Sequence, residues 1–504
     1  MRGMGDVPPY SSDAVHKSIE KIAHNAIARY MYESNWYGNA ERGFRNGAFD
    51  QTLPPVTGPT GTVEVVHRVT GGWGTAETPT PPPGAKFTGE SHPPTAIVAY
   101  HYQVDPWEDI YLPWIQKIGS LFEGFKDLPD PADFEGPIAS MQAAVGALTP
   151  LESAGTSEGD RDGDKFTSAG LASDLSTLSR WISPDTPGAW SGATIYAFDT
   201  AYGTERIKAV LHNQAQLAIM LGIVLQGEKN IWERARRDTM ALMKDAEKAF
   251  DPTGSGIGIN FDVVKALVDI VGEFIPPAYS KVWSVGSTAL DLIGGMLPAK
   301  EADNVESKIT GGTVEELYNS LWGEIVKLDT KIYEQENDLQ TSLEKLLGEI
   351  ASSPASNFHI HPDKGIEQGL EGGTLNVDPE IIGDIGYNVV PRIASTMARG
   401  AEKAQEADKY LIWYRTRVGM ASQGPYQEWH QLLGQLDAVA TGSARELTEA
   451  GRLLAVAGHG IKRVDEETKD ATKGLKDELD RGEYGYDNSD ADHVPPPPGG
   501  PSNY

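Results

Sequence analysis

The sequence predicts a mainly α-helical protein of elongated helical hairpins, or a bundle, with long helices and one irregular Pro/Gly-rich segment. Three observations predict it. Apolar residues recur at three-and-four spacing over most of the chain after residue 106. Two of these runs, 192–250 and 313–350, are far longer than an ordinary globular helix. Proline and glycine crowd instead into 41–106, as in TPTPPPG at 78–84.

In residues 1–40, Val15, Ile19, Ile22, Ala26, Ile27 and Tyr30 fall on one stripe. That predicts a helix over 12–34, which Ser11 or Ser12 can cap. In 41–106 only TVEVVHRV (62–69) and AIVAYHYQV (96–104) look extended. They could pair as a short β-hairpin, or the region is mostly irregular. The block 107–164 holds two short helices, 107–126 and 132–148, and then a polar loop, ESAGTSEGDRDGD.

Residues 165–250 read as helix, break, helix. A first helix over 165–183 meets SPDTPG, and a long pattern follows from about 192 to 250. Ile207, Val210, Leu211, Leu217, Ala218, Leu221, Val224 and Leu225 mark one face, interrupted at Gln214. Unbroken, that helix would span roughly 90 Å. Residues 251–312 read as shorter amphipathic helices. Among them is 260–275, where Asp262, Lys265, Asp269 and Glu273 form a polar stripe.

A helix over 313–350 opens on Thr313 and Glu316, a capping-box pair. Val314, Leu317, Leu321, Ile325, Leu328 and Ile332, then Leu339, Leu343, Leu346 and Ile350, give it a coiled-coil-like seam. Residues 351–377 are a linker. Residues 378–480 repeat the helix–break–helix pattern, with helices over 378–417 and from about 429 to 480 around SQGPYQEW. Residues 481–504, ending in VPPPPGGPSNY, predict a disordered acidic and proline-rich tail.

Composition excludes several functions. The net charge of −29 argues against nucleic acid and anionic membrane surfaces as partners. The absence of cysteine removes disulfides, thiolate catalysis and thiolate metal sites. The first twenty residues hold no apolar core of signal-peptide length, and no membrane-spanning apolar run is expected. There is no phosphate-binding loop, no G-x-S-x-G elbow and no H-E-x-x-H, so no enzyme and no cofactor are expected. His359 and His361 stand two apart in FHIHPD, but the sequence places no third metal ligand beside them. Asp160, Asp162 and Asp164 resemble a calcium loop, but the glycine comes too early and Leu171 stands where the bidentate glutamate belongs.

Two W-x-G tripeptides occur, at Trp36–Gly38 and Trp190–Gly192. Only Trp190-Ser191-Gly192 sits between helical patterns, where a tight turn needs glycine and a tryptophan can seal a two-helix core. Ala197 and Phe198 follow it, and then the Gln/Ala/Leu-rich run NQAQLAIMLGIVLQ (213–226). These features resemble the WXG-type helical hairpin proteins of the type VII (ESX) secretion systems of actinobacteria. The second helix–break–helix unit is a looser match to ESX secretion-associated proteins. It rests on LNVDPEIIGDI (375–385) and on 440–467, and its Trp429-His430-Gln431 lacks the glycine.

The resemblance implies a non-enzymatic secretion substrate or secretion-associated protein that acts through helical-hairpin contacts. It implies Trp190 and Gly192 at the hairpin turn, with Phe198 packed beneath. It implies a partner of the same type or a second copy of the chain, and a type VII secretion ATPase. It also implies a secreted or cell-surface location without a cleaved signal peptide. The family's export signal is a tyrosine followed four residues later by an acid, and Tyr486 with Asp490 fits it. Two alternatives stand beside this reading. One is a non-exported, cytoplasmic scaffold that self-assembles through the 313–350 seam and the 192–250 helix. The other, weaker, is membrane insertion through 260–298.

Overall fold

The computed structural model describes residues 7–49, 51–70, 80–92, 97–150, 168–182, 193–254, 256, 258–268, 270–275, 305–360, 379–420 and 422–461. Among them the protein is mainly helical, with small antiparallel sheets. The chain divides into two units. The first comprises 1–142, 219–351 and 406–433, and the second comprises 143–218, 352–405 and 434–504.

The first unit begins with the helix Ser12–Glu33, whose cap is Ser11: its side chain accepts a hydrogen bond from the Ala14 amide. Val15, Ile19, Ile22, Ala26 and Ile27 are buried on the expected stripe. Tyr30, on the same helix, packs its ring 5.4 Å from Trp114 of the helix Leu112–Leu121.

Strands follow where proline and glycine are dense. The two extended runs pair in antiparallel register as β4 (Val63–Thr70) and β6 (Ile97–Val104). They do not form an isolated hairpin, because β5 (Lys86–Ser91) adds to the far side of β6 and makes it the central strand. A second small sheet, β1 (Tyr37–Asn39), β2 (Gly43–Asn46) and β3 (Gln51–Leu53), was not legible as strands. Its runs are too short to show alternation. Trp36, of the first W-x-G, is buried here and stacks on Phe49 at 5.7 Å. That tripeptide therefore leads from a helix into a sheet and is not a helical turn.

The stretch 260–275 is not an amphipathic helix, which corrects the reading of 251–312. It holds β7 (Ile259–Phe261), one 3-10 turn (Val263–Lys265) and the short helix Ile270–Phe274. β7 pairs with β8 (Val305–Ser307). The cause is visible on the long helix Thr204–Phe250. The Asp238 carboxylate accepts from the Val263 amide at 2.8 Å, and Asp245 accepts from the Gly258 and Ile309 amides at 3.2 and 3.3 Å. These acids take the backbone donors that a helix would have used. The run 277–298 lies outside the described residues.

The helix Val314–Ser352 matches its expected limits. The capping box forms: Glu316 N donates to Thr313 Oγ1, and Thr313 N donates to Glu316 Oε2, both at 3.2 Å. The seam residues from Val314 to Leu346 are buried within the chain. The seam is therefore occupied within the chain.

In the second unit, the helix Ser168–Ile182 precedes the first break, and Ala193–Tyr202 follows it. The pattern from 192 to 250 is not one helix, since Gly203 separates Ala193–Tyr202 from Thr204–Phe250. The second helical pair contributes Pro379–Asp384, a π turn at Ile385–Val389, Val390–Gln405 and the later turns of Tyr426–Ile461.

Arg392 binds Asp174 with both fork nitrogens, at 3.1 Å from Nε and 2.5 Å from Nη2, and ties Val390–Gln405 to Ser168–Ile182. Gln214, the polar interruption in the long apolar stripe, is fully buried. Its amide donates to Phe358 O at 2.8 Å and to Val439 O and Ser443 Oγ at 3.2 Å. The backbones of Gly386 and Gly451 touch: a Cβ on Gly386 would lie 2.5 Å from Gly451 O. Within this unit the two helix–break–helix segments thus pack on each other.

Among the described residues, one helical stretch, Ile195–Phe250, is long and apolar enough to cross a membrane. Most of its apolar window is buried inside the chain, as in the core helix of a globular protein.

Candidate functional site: the break of the second helical pair

The sequence-predicted site residues scatter. Trp190, Gly192, Tyr486, Asp490 and His361 lie outside the described residues, as does the Asp160–Asp164 loop. Phe198 is buried on Ala193–Tyr202, with its ring 5.3 Å from Tyr202. His359 is also buried, next to Ile360, whose amide donates to Ser443 Oγ at 3.0 Å. Among the described residues no group of three or more metal-ligating side chains occurs.

The second break is described, and several side chains of the first unit anchor it. The helix expected over 378–417 ends at Gln405. Residues 406–425 then run irregularly, apart from a 3-10 turn at Tyr410–Trp413, until the next helix starts at Tyr426. Two glycines shape the segment. Gly419 has φ +73°, and a Cβ there would lie 2.1 Å from Glu336 Oε2. Gly424 has φ +52°, and a Cβ there would press 2.4 Å from Arg415 Nη2. Only glycine combines that backbone with that closeness.

The break's tryptophan, Trp429, sits in the first turn after Pro425 and is fully buried. Its indole N–H donates to Leu221 O at 3.0 Å. Trp413 lies 5.6 Å from it and 6.0 Å from Phe134, with Tyr426 5.7 Å away. These rings therefore form an aromatic block at the second break without a W-x-G.

Beneath the block lies a buried charge cluster. The Arg415 side chain is 1% exposed, and that of Glu336 is fully buried. The guanidinium donates to Glu336 Oε1, to Trp413 O at 3.0 Å and to Val418 O at 3.2 Å. Its carbon lies 4.9 Å from the Trp232 ring. Glu336 Oε2 accepts from the Met420 amide at 2.6 Å, and Asp329 accepts from the Gly419 amide at 2.8 Å. A second fully buried acid, Glu228, accepts from Trp232 Nε1 at 2.9 Å and shares a hydrogen bond with Glu336.

Two carboxyls thus face one guanidinium in a site without solvent. Ionising both would leave an uncompensated charge in low dielectric, at a cost of several kcal/mol. Burial, and then the Glu228 charge, push Glu336 up to about 8 despite Arg415. Burial raises Glu228 as well, against the pull of Arg415 and the Trp232 hydrogen bond. One proton held between the two acids leaves a single negative charge opposite Arg415. With these side chains enclosed, the cluster fixes the path of 413–424.

None of Glu228, Glu336 or Arg415 stood out as functional in the sequence. A signal existed for the two acids. In the 313–350 seam the apolar series runs from Ile332 to Leu339 across Glu336, and in the long helix Glu228 follows Leu225 on the apolar face. Charged residues at core positions mark where partner charges must come from elsewhere in the chain. Compared with known proteins, the chain matches no family model, no curated protein and no solved structure.

Proposed function

We propose that this protein is a non-enzymatic type VII secretion substrate or secretion-associated protein, acting through helical-hairpin contacts and carrying its hairpin partner within its own chain. The observation that supports the reading is the packing in the second unit. The helix before the first break and the helix before the second break are joined by Arg392 and Asp174, and Gln214 reaches Val439 and Ser443 across the pair. A hairpin protein of this type needs a second hairpin to cover its apolar stripe. Here Leu211, Leu217, Leu436 and Leu447 are already buried. A separate WXG-type partner is then unnecessary for folding, and the remaining contact is with the secretion ATPase, through the tail that carries Tyr486 and Asp490.

A second reading, self-assembly, is favoured by one observation. Trp322, Val326 and Tyr333 are 57%, 46% and 48% exposed along one flank of Val314–Ser352, beside its seam. Light scattering on the purified chain separates the two. The in-chain pairing predicts a monomer near 54.4 kDa at micromolar concentration. A stable ring or filament that Trp322→Ser dissolves would establish assembly through this face instead.

A further inference from the structure

We propose that Ser91, His101 and Glu64 form a nucleophilic serine site that accepts acyl groups from small, activated carboxylic esters. The three residues lie on adjacent strands of one sheet, in the order β4, β6, β5. The His101 ring holds both neighbours at once: Nδ1 is 2.7 Å from Glu64 Oε1, and Nε2 is 3.0 Å from Ser91 Oγ.

The polarity of these bonds follows from the groups. An ionised glutamate can only accept, so Nδ1 carries the ring proton. Nε2 is then the free base, and the Ser91 hydroxyl donates to it. This is the connectivity by which an acid–histidine pair activates a serine, and such sites are recognised by geometry and roles rather than by fold.

The register explains why the residues meet. His101 stands opposite Val66 on one side and opposite Gly89 on the other. Glu64 and Ser91 are each two residues from those positions and so share the face of His101. Gly89 leaves the space beside the imidazole open: nothing lies within 4 Å of where its Cβ would be. The site is accessible, with Ser91 exposed and the His101 and Glu64 side chains 29% and 57% exposed. Among the described residues β5 pairs only with β6 and is an edge strand of this sheet. Among the described residues no wall encloses the site, so a small activated ester is the probe that reaches it.

In the step, Ser91 Oγ attacks the ester carbonyl carbon and its proton passes to His101 Nε2. The carbonyl–oxygen bond to the leaving group then breaks, and the alkoxide or phenoxide takes the proton from Nε2. Water then gives a proton to the same nitrogen and adds to the acyl carbon; the bond from that carbon to Ser91 Oγ breaks, Oγ takes the proton back from Nε2, and the carboxylic acid leaves. Glu64 touches no reacting atom and is a positioning residue. The site is independent of the secretion part of the reading above and would replace its non-enzymatic part.

The test uses the full chain with p-nitrophenyl acetate, and peptide mass spectrometry locates the acetyl group. The expected result is acetylation at Ser91 and p-nitrophenol release about tenfold or more faster than from Ser91→Ala, within the general-base range. His101→Ala should match Ser91→Ala. Glu64→Gln should slow acylation and Glu64→Asp should partly restore it, while thermal midpoints stay unchanged. Equal rates for the wild-type chain and Ser91→Ala, or acetyl groups only on lysines, would overturn the proposal.

Discussion

Arg415→Met is expected to lower the stability of the first unit by about 3–5 kcal/mol at pH 7, the typical cost of removing one partner from a buried ion pair. Methionine fills much of the volume, so the loss is mainly electrostatic. The substitution strands the Glu228–Glu336 pair with one negative charge and no guanidinium. It also removes the donors to Trp413 O and Val418 O that hold the break. Urea unfolding followed by tryptophan fluorescence measures it. The deficit should shrink at pH 5, where both carboxyls take protons and the stranded charge disappears. Arg415→Lys should recover only part of the loss, because an ammonium cannot reproduce the planar fork. A deficit under about 1 kcal/mol at pH 7 would show that the cluster does not stabilise the break.

The second large effect is a pH dependence of opposite sense to ordinary acid denaturation. Glu336 titrates at about 8 in the folded chain, against 4.5 for a free glutamate, and Glu228 is raised with it. Asp238, buried and accepting from the Val263 amide, is raised from 3.8 to about 7. A group whose folded value is raised binds protons more tightly when folded. Its contribution is complete below the unfolded value and is lost as pH climbs through the folded value. Stability of the first unit should therefore fall between about pH 4.5 and pH 8, with a drop in thermal midpoint on the order of 5 °C. Glu228→Gln isolates the effect. The glutamine amide still bonds Glu336 and Trp232, and a single carboxylate then faces Arg415. The variant should show a flatter profile than the wild-type chain, and profiles of equal slope would remove the shared proton from the account.

The long helices were legible because their stripes are long. Val314–Ser352 and the cap at Thr313 and Glu316 follow directly from period and end chemistry. Helix limits failed where tertiary partners captured the backbone. The 378–417 pattern stops at Gln405 because Glu336, Asp329 and Arg415 hold the following loop. The 260–275 pattern gives way to a strand because Asp238 and Asp245 take its amides. No local window contains those partners. The site was legible only as anomalies: Gln214, Glu228 and Glu336 each break an apolar stripe, and each is a point where distant segments meet. Trp429 was noted as part of a break, and it fills that role by burial against Leu221 O rather than through a W-x-G turn.

Secretion is the central claim, and one measurement addresses it most directly. The chain, tagged at an exposed position, is followed in the culture supernatant of a host strain with an intact type VII ATPase and of the same strain with that ATPase inactivated. The account predicts the folded chain in the supernatant of the first strain and its retention inside the second. It also predicts that removal of 481–504, with Tyr486 and Asp490, reproduces the retention in the intact strain. Equal amounts outside both strains, or none outside either, would contradict it.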